Sequence, residues 1–117
     1  MPHDPLTLLH DIRQAAEFIL EQTRDRTLAE YESDRLVSAA VERHFITIGE
    51  ALNRLARVDP EVANSLGNFP QIIAFRNIIV HGYDIIEHAI VWGVIQNEVP
   101  RLLAASQVAI RELESRG

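Results

Sequence analysis

The chain has 117 residues, 47% hydrophobic and 24% charged, a composition that fits one globular domain (1–117) and excludes a disordered chain. Eleven Arg, no Lys and seventeen acidic residues give a formal charge of −6, a field that repels phosphate backbones and argues against a non-specific nucleic-acid coat protein. The absence of Lys and Cys removes lysine Schiff-base chemistry, disulfides and thiolate metal sites.

Only 5 Gly and 5 Pro leave little room for a turn-dense β-sandwich, so helices are favoured. Asp4 before Pro5 reads as an N-cap followed by proline at the first helical position. Leu6, Leu9, Ile12, Ala16, Ile19 and Leu20 then recur at three- and four-residue spacing, one buried stripe of a helix that fades near Thr23. Thr27 and Glu30 have capping-box spacing, which predicts a short turn of helix over Leu28 and Tyr31.

A second long helix is predicted from Ser33 or Asp34, with Leu36, Val37, Ala40, Val41, Phe45, Ile48, Leu52 and Leu55 as its apolar face. Glu42, Arg43 and Arg54 read as its solvated side. Gly49 in mid-helix costs about 1 kcal/mol relative to Ala, a cost that close approach of another helix would justify. Asp59-Pro60 repeats the cap-plus-proline signal and opens a short helix ending at Gly67.

Pro70 opens a helix over 70–81 in which Ile72, Ile73, Phe75, Ile78, Ile79 and Val80 surround most of the cylinder. A helix apolar on nearly all sides belongs in the centre of a bundle or against a partner subunit. Gly82 follows as its C′ residue, and Asp84 with Glu87 offers the next helix start. Trp92, Ile95, Val99, Leu102, Leu103, Val108, Ile110 and Leu113 carry the last apolar pattern, which Pro100 must kink or divide. The sum is an all-α, compact bundle of four to five main helices with one or two short ones. No apolar run approaches the roughly 18 residues of a membrane span, and Met1-Pro2-His3-Asp4-Pro5 lacks the build of a signal peptide, so a soluble cytoplasmic protein is expected.

Most chemical motifs are missing: no glycine-rich phosphate loop, no nucleophile-elbow serine, and no His pair or Glu-x-x-His at metal-ligand spacing. No metal or cofactor is expected. His3 and His10 read as surface residues, His44 and His88 as packing or boundary residues, and Trp92 as core. One cluster stands out, Arg76-Asn77-Ile78-Ile79-Val80-His81-Gly82-Tyr83, which puts an Arg, an amide, an imidazole and a phenol on the most apolar helix. Asn77 and His81 share a face at i and i+4, and the long Arg76 side chain can sweep toward the same cleft. An imidazole that moves protons near neutral pH beside a guanidinium that holds phosphorane charge is a minimal kit for cleaving RNA. The same spacing also fits Arg76 paired with an acidic neighbour while Asn77 and His81 cap or bridge helices.

At these residues the chain resembles the HepT group of HEPN-domain proteins, whose mark is Arg, four residues, His, one residue, Tyr, here Arg76, His81 and Tyr83, with a polar residue after the Arg, here Asn77. Ile48-Gly49-Glu50-Ala51 followed by Leu55 is similar to the family's second-helix signature, and Trp92 with Val99-Pro100-Arg101-Leu102 to its final helix. Gln71 departs from the Trp of many relatives, a change that touches packing at the helix start. The resemblance, over residues 4–113, implies an HEPN-like fold and the toxin of a type VII toxin–antitoxin pair. It implies a metal-independent endoribonuclease that acts as a homodimer through the motif helix. Arg76 would then stabilise the phosphate, His81 would act as general base or acid, and Asn77 would orient them. It further implies silencing by a minimal nucleotidyltransferase (MNT) antitoxin that transfers AMP to Tyr83. A non-catalytic helical subunit that binds a nucleotidyltransferase or a nucleotide is the alternative these residues also fit.

Overall fold

In the computed structural model, which describes residues 4–81 and 87–116 with the side chains of 79–81 left aside, the chain folds into seven helices among the described residues. These are α1 (Pro5–Thr23), α2 (Leu28–Ser33), α3 (Arg35–Val58), α4 (Pro60–Leu66), α5 (Pro70–His81), α6 (His88–Asn97) and α7 (Val99–Arg116). The expected start at Asp84 and the expected C′ residue Gly82 lie outside the described residues. Among the described residues, no helix is long and apolar enough to cross a membrane.

Local hydrogen bonds set most helix starts. Asp4 Oδ1 accepts from Leu6 N–H at 3.3 Å, and Asp59 Oδ1 accepts from Val62 N–H at 3.2 Å with Pro60 at the first helical position. The capping box before α2 is complete, with Glu30 N–H donating to Thr27 Oγ1 and Thr27 N–H to Glu30 Oε1. Asp34 caps α3 by accepting from Val37 N–H, and Arg26 donates to its other oxygen at 3.0 Å. The Val37 bond and then the Arg26 bond hold the Asp34 carboxyl below its ordinary range. Gly67 ends α4 at φ +105°, a left-handed conformation that side chains rarely adopt.

α1 packs against both α3 and α7, and α3 also carries α5, α4 and α2. Leu9, Ile12, Ala16 and Ile19 of α1 meet Val41, Phe45, Ile48 and Leu55 of α3 and Leu102 of α7 in a core closed to solvent. The last apolar stretch divides rather than kinks: Glu98 N–H closes α6 on Val94 and its carbonyl opens α7 on Leu102. Pro100 thereby falls in the first turn of α7, where its missing N–H leaves no gap. Glu87 is the N-cap of α6, but its side chain makes no capping bond. Trp92 is half-buried rather than fully core, lying tilted against the Tyr31 ring.

Two residues expected inside are outside: Leu36 is 85% exposed and Val108 45%. At 100° per residue, Leu36 lies about 180° from Phe45, and the core stripe of α3 passes instead through Ser38. Val108 is likewise replaced on the α7 stripe by Ser106. Both serines are buried because their hydroxyls donate to a carbonyl three residues back, Arg35 and Leu103. Thr23, also buried, donates to the Ile19 carbonyl four residues back. A hydroxyl satisfied by its own helix can occupy a core position that a hydrophobicity pattern reads as polar.

α5 does not lie at the bundle centre. It is held chiefly by α3, with Ile72 and Phe75 buried, Ile73 and Ile78 half-buried, and Ala74 exposed. The Phe75 ring meets Phe45 edge-on at 5.9 Å between centroids. The α5 start is supported from the α6–α7 junction, where Arg101 stacks over the buried Phe69 ring at 5.2 Å.

Glu98 lies in the same junction with Oε1 buried and unpartnered among the described residues. Burial raises its carboxyl above the ordinary 4.5, only partly opposed by Arg101 and by the Ile72 N–H in the first turn of α5. A carboxyl raised in the fold binds protons more tightly folded than unfolded, so its contribution is fully present below pH 4.5 and lost as pH rises through the folded value. Glu98→Gln removes that loss, and thermal melts at pH 7 are expected to show a higher midpoint than wild type, with the difference shrinking toward pH 4. A lower midpoint at pH 7 would mean that Arg101 and the α5 start outweigh burial.

Candidate functional site

The site is built where α5 crosses α3 at Gly49. A Cβ on Gly49 would stand 2.5 Å from Arg76 Cβ and 2.6 Å from Arg76 Cγ, closer than any real side chain tolerates. The close approach expected at this glycine is therefore made by the stem of Arg76 itself. Seating the stem there carries the guanidinium to the edge of α3. Its Nη1 donates to Asn77 Oδ1 at 3.0 Å, and its Nη2 lies 3.8 Å from Glu50 Oε1. Its Nε is buried and without a partner among the described residues.

Arg76 has an acidic neighbour, but at 3.8 Å the pair is looser than the paired, parallel hydrogen bonds of a close Arg–carboxylate contact. Asn77, expected to share a face with His81, accepts a hydrogen bond from Arg76. The backbone of His81 ends α5; its side chain and the whole of Tyr83, like His3, lie outside the described residues.

Beside Arg76 opens a groove of about 590 Å³ lined by Glu50, Asn53, Arg54, Arg57 and Arg76. Sequence reading placed Arg54 on a solvated side and passed over Asn53 and Arg57. Their signal was present, because 50, 53, 54 and 57 recur at helical spacing on one face. What spacing did not show was that α5 would bring a third arginine to that face. Three guanidiniums against one carboxylate make the groove locally positive within a chain of charge −6. Planar guanidiniums present fixed forks of N–H donors that match phosphate oxygens.

The other histidines among the described residues, His10, His44 and His88, make local packing or hydrogen-bond contacts. His44 stacks on Phe18 at 3.9 Å and its Nδ1 contacts the Ala40 carbonyl at 2.7 Å, while His10 lies beside Arg13. His88 meets Tyr31 edge-on. The Tyr31 hydroxyl is buried without a partner among the described residues, and burial, reinforced by Glu42, pushes its pKa far up. Among the described residues, no three His, Asp or Glu side chains are grouped to hold a metal ion.

Gly49→Ala tests the crossing. The added methyl meets the fixed root of Arg76 rather than its flexible end, so overpacking of about 1–3 kcal/mol outweighs the helix-propensity gain of about 1 kcal/mol. Urea denaturation is expected to show a net loss of stability, and a gain would mean that α5 shifts freely at this point.

The profile of a family described as HepT-like, ribonuclease HepT-like, matches residues 12–109. A Methanocaldococcus jannaschii protein named "Putative RNase MJ1380" is 27% identical over 101 residues, 85% of this chain and 90% of that protein. "Putative RNase MJ0127" of the same organism is 28% identical over 116 residues, 95% of this chain and 91% of its own. "Probable ribonuclease HepT" of Thermococcus cleftensis is 28% identical over 98 residues, covering 80% of this chain and 84% of that one. No solved structure gives a significant match. With a helical bundle among the described residues, and a family match that spans the Gly49–Arg76 crossing and the Arg76–His81–Tyr83 motif, the chain belongs to the HepT-like ribonuclease family.

Proposed function

We propose that this protein is the toxin of a type VII HepT/MNT pair, a metal-independent endoribonuclease that cleaves RNA through Arg76 and His81. The observation that carries the reading is the placement of Arg76. Its guanidinium is steadied by Asn77, loosely held by Glu50, and set at the mouth of an open, positively charged groove, five residues before His81 on the same helix. Family membership supports the ribonuclease class.

In the proposed reaction a ribose 2′-oxygen forms a bond to the adjacent phosphorus and the bond from phosphorus to the 5′-oxygen breaks. The products are a 2′,3′-cyclic phosphate and a free 5′-hydroxyl. The 2′-hydroxyl proton leaves to a base, and a proton is delivered to the departing 5′-oxygen; His81 takes one of these two roles. Arg76 holds the non-bridging oxygens as negative charge builds on them.

The motif helices of two copies would face each other and share one cleft. The half-buried Ile73 and Ile78, on a helix held chiefly from the α3 side, support such a homodimer. Tyr83, two residues past His81, is the proposed acceptor of AMP from the MNT-type nucleotidyltransferase. A bulky negative adduct there would repel RNA phosphates. The formal charge of −6 favours the second reading, a non-catalytic subunit that binds the nucleotidyltransferase, and the local arginine groove favours catalysis.

The test is to incubate protein made without a partner with total RNA in excess EDTA, beside Arg76→Ala and His81→Ala checked for folding. Wild type is expected to yield fragments ending in cyclic phosphate, and each variant to lose about 10²-fold or more in rate. Intact RNA with all three proteins, while mass spectrometry finds Tyr83 unmodified, would overturn the nuclease reading in favour of the partner-binding subunit.

A further inference from the structure

We propose that the face of α3 carrying Asn53, Arg54 and Arg57 is a binding track for the RNA backbone, holding phosphates that flank the one engaged by Arg76. The inference rests on the ribonuclease reading for the identity of its ligand, and on the groove for its location. Asn53, Arg54 and Arg57 are exposed, so their donors face solvent, and with Arg76 they line one continuous opening. From Glu50 to Arg57 the face runs about 10 Å along the helix at 1.5 Å per residue, so the track extends well beyond the contact of a single phosphate. The volume of about 590 Å³ lies within the range of small-ligand sites, with room for nucleotides on one side of the Arg76 phosphate.

The ligand chemistry follows from the lining. Three guanidiniums and one amide supply only donors apart from the amide oxygen, and the one carboxylate of the lining among the described residues, Glu50, stands beside Arg76 at the reacting end rather than along the track. A repeating anion suits that arrangement. Arg57 lies in the last turn of α3, where the helix dipole favours a cation. Among the described residues the track is mostly guanidinium, so it would bind chiefly through phosphates. It also accounts for RNA binding by an acidic chain: salt shortens the reach of the distant carboxylates, and the contacts at the groove act at close range.

The experiment measures binding apart from cleavage. A fluorescein-labelled single-stranded RNA is titrated with full-length protein by anisotropy at several salt concentrations, in a His81→Ala background. Arg54→Gln/Arg57→Gln is compared with Arg43→Gln/Arg111→Gln, which makes the same charge change at exposed arginines elsewhere. The track variant is expected to bind several-fold more weakly and to lower the salt slope by about 1.4, two contacts at about 0.7 each for a single strand. The control pair is expected to lose much less of both. Arg54→Lys/Arg57→Lys should restore most of the salt slope, because it keeps the charge. Equal losses in track and control pairs would overturn the proposal and leave the ribonuclease reading standing. If wild type does not cleave RNA yet the track variant alone loses binding, the track stands and the catalytic reading fails. RNA that does not bind at any salt concentration overturns both.

Discussion

The arrangement of this protein around its site depends on one missing side chain. Gly49 leaves a gap in the wall of α3, and the stem of Arg76 fills it. That contact fixes how near α5 lies to α3, and with it the buried pair Phe45 and Phe75 and the seat of Ile72. Helix propensity alone disfavours a glycine there by about 1 kcal/mol. The return is geometric: an arginine whose aliphatic part is packed in the helix interface has its charged head carried to a defined place. A guanidinium positioned by packing loses less freedom on meeting an anion than one on a free side chain.

This contact also explains how an acidic chain presents a basic site. The 17 carboxylates outnumber the 11 arginines overall, yet among the described residues only Glu50 shares the groove with Arg54, Arg57 and Arg76. Net charge governs the field far from the surface, whereas binding of a phosphate is decided within a few ångströms. Glu50 is close enough to Arg76 to offset its charge in part and far enough to leave its donors available. A chain that belongs to the HepT-like ribonuclease family thus keeps an arginine-lined groove despite its overall charge.

Where the sequence misled, the cause is specific. Ser38 and Ser106 occupy core positions because each closes its hydroxyl on its own helix, and their polar identity shifted the apparent apolar stripe toward Leu36 and Val108. The apolar circumference of the 70–81 segment suggested a helix at the bundle centre or against a partner subunit, and the described part of α5 rests mainly on α3 rather than at the centre. Arg54 read as a solvated residue, which it is; that it borders a groove depended on a helix about twenty residues further along the chain. Of the motif itself, the structure brings Arg76 and Asn77 together, while the side chain of His81 and all of Tyr83 lie outside the described residues.

By itself the sequence determined the helical class, most helix starts and the motif that names the family. Asp4, Thr27, Asp34 and Asp59 satisfy backbone donors two or three residues away, so their effect is local and readable from neighbours. Tertiary structure alone decided which face of α3 receives α5, which arginines share a groove, and how Glu98 comes to be buried beside the start of α5. Those outcomes depend on the distance between elements far apart in sequence. That distance is set by close packing of side-chain volumes, here by the one volume that Gly49 does not have.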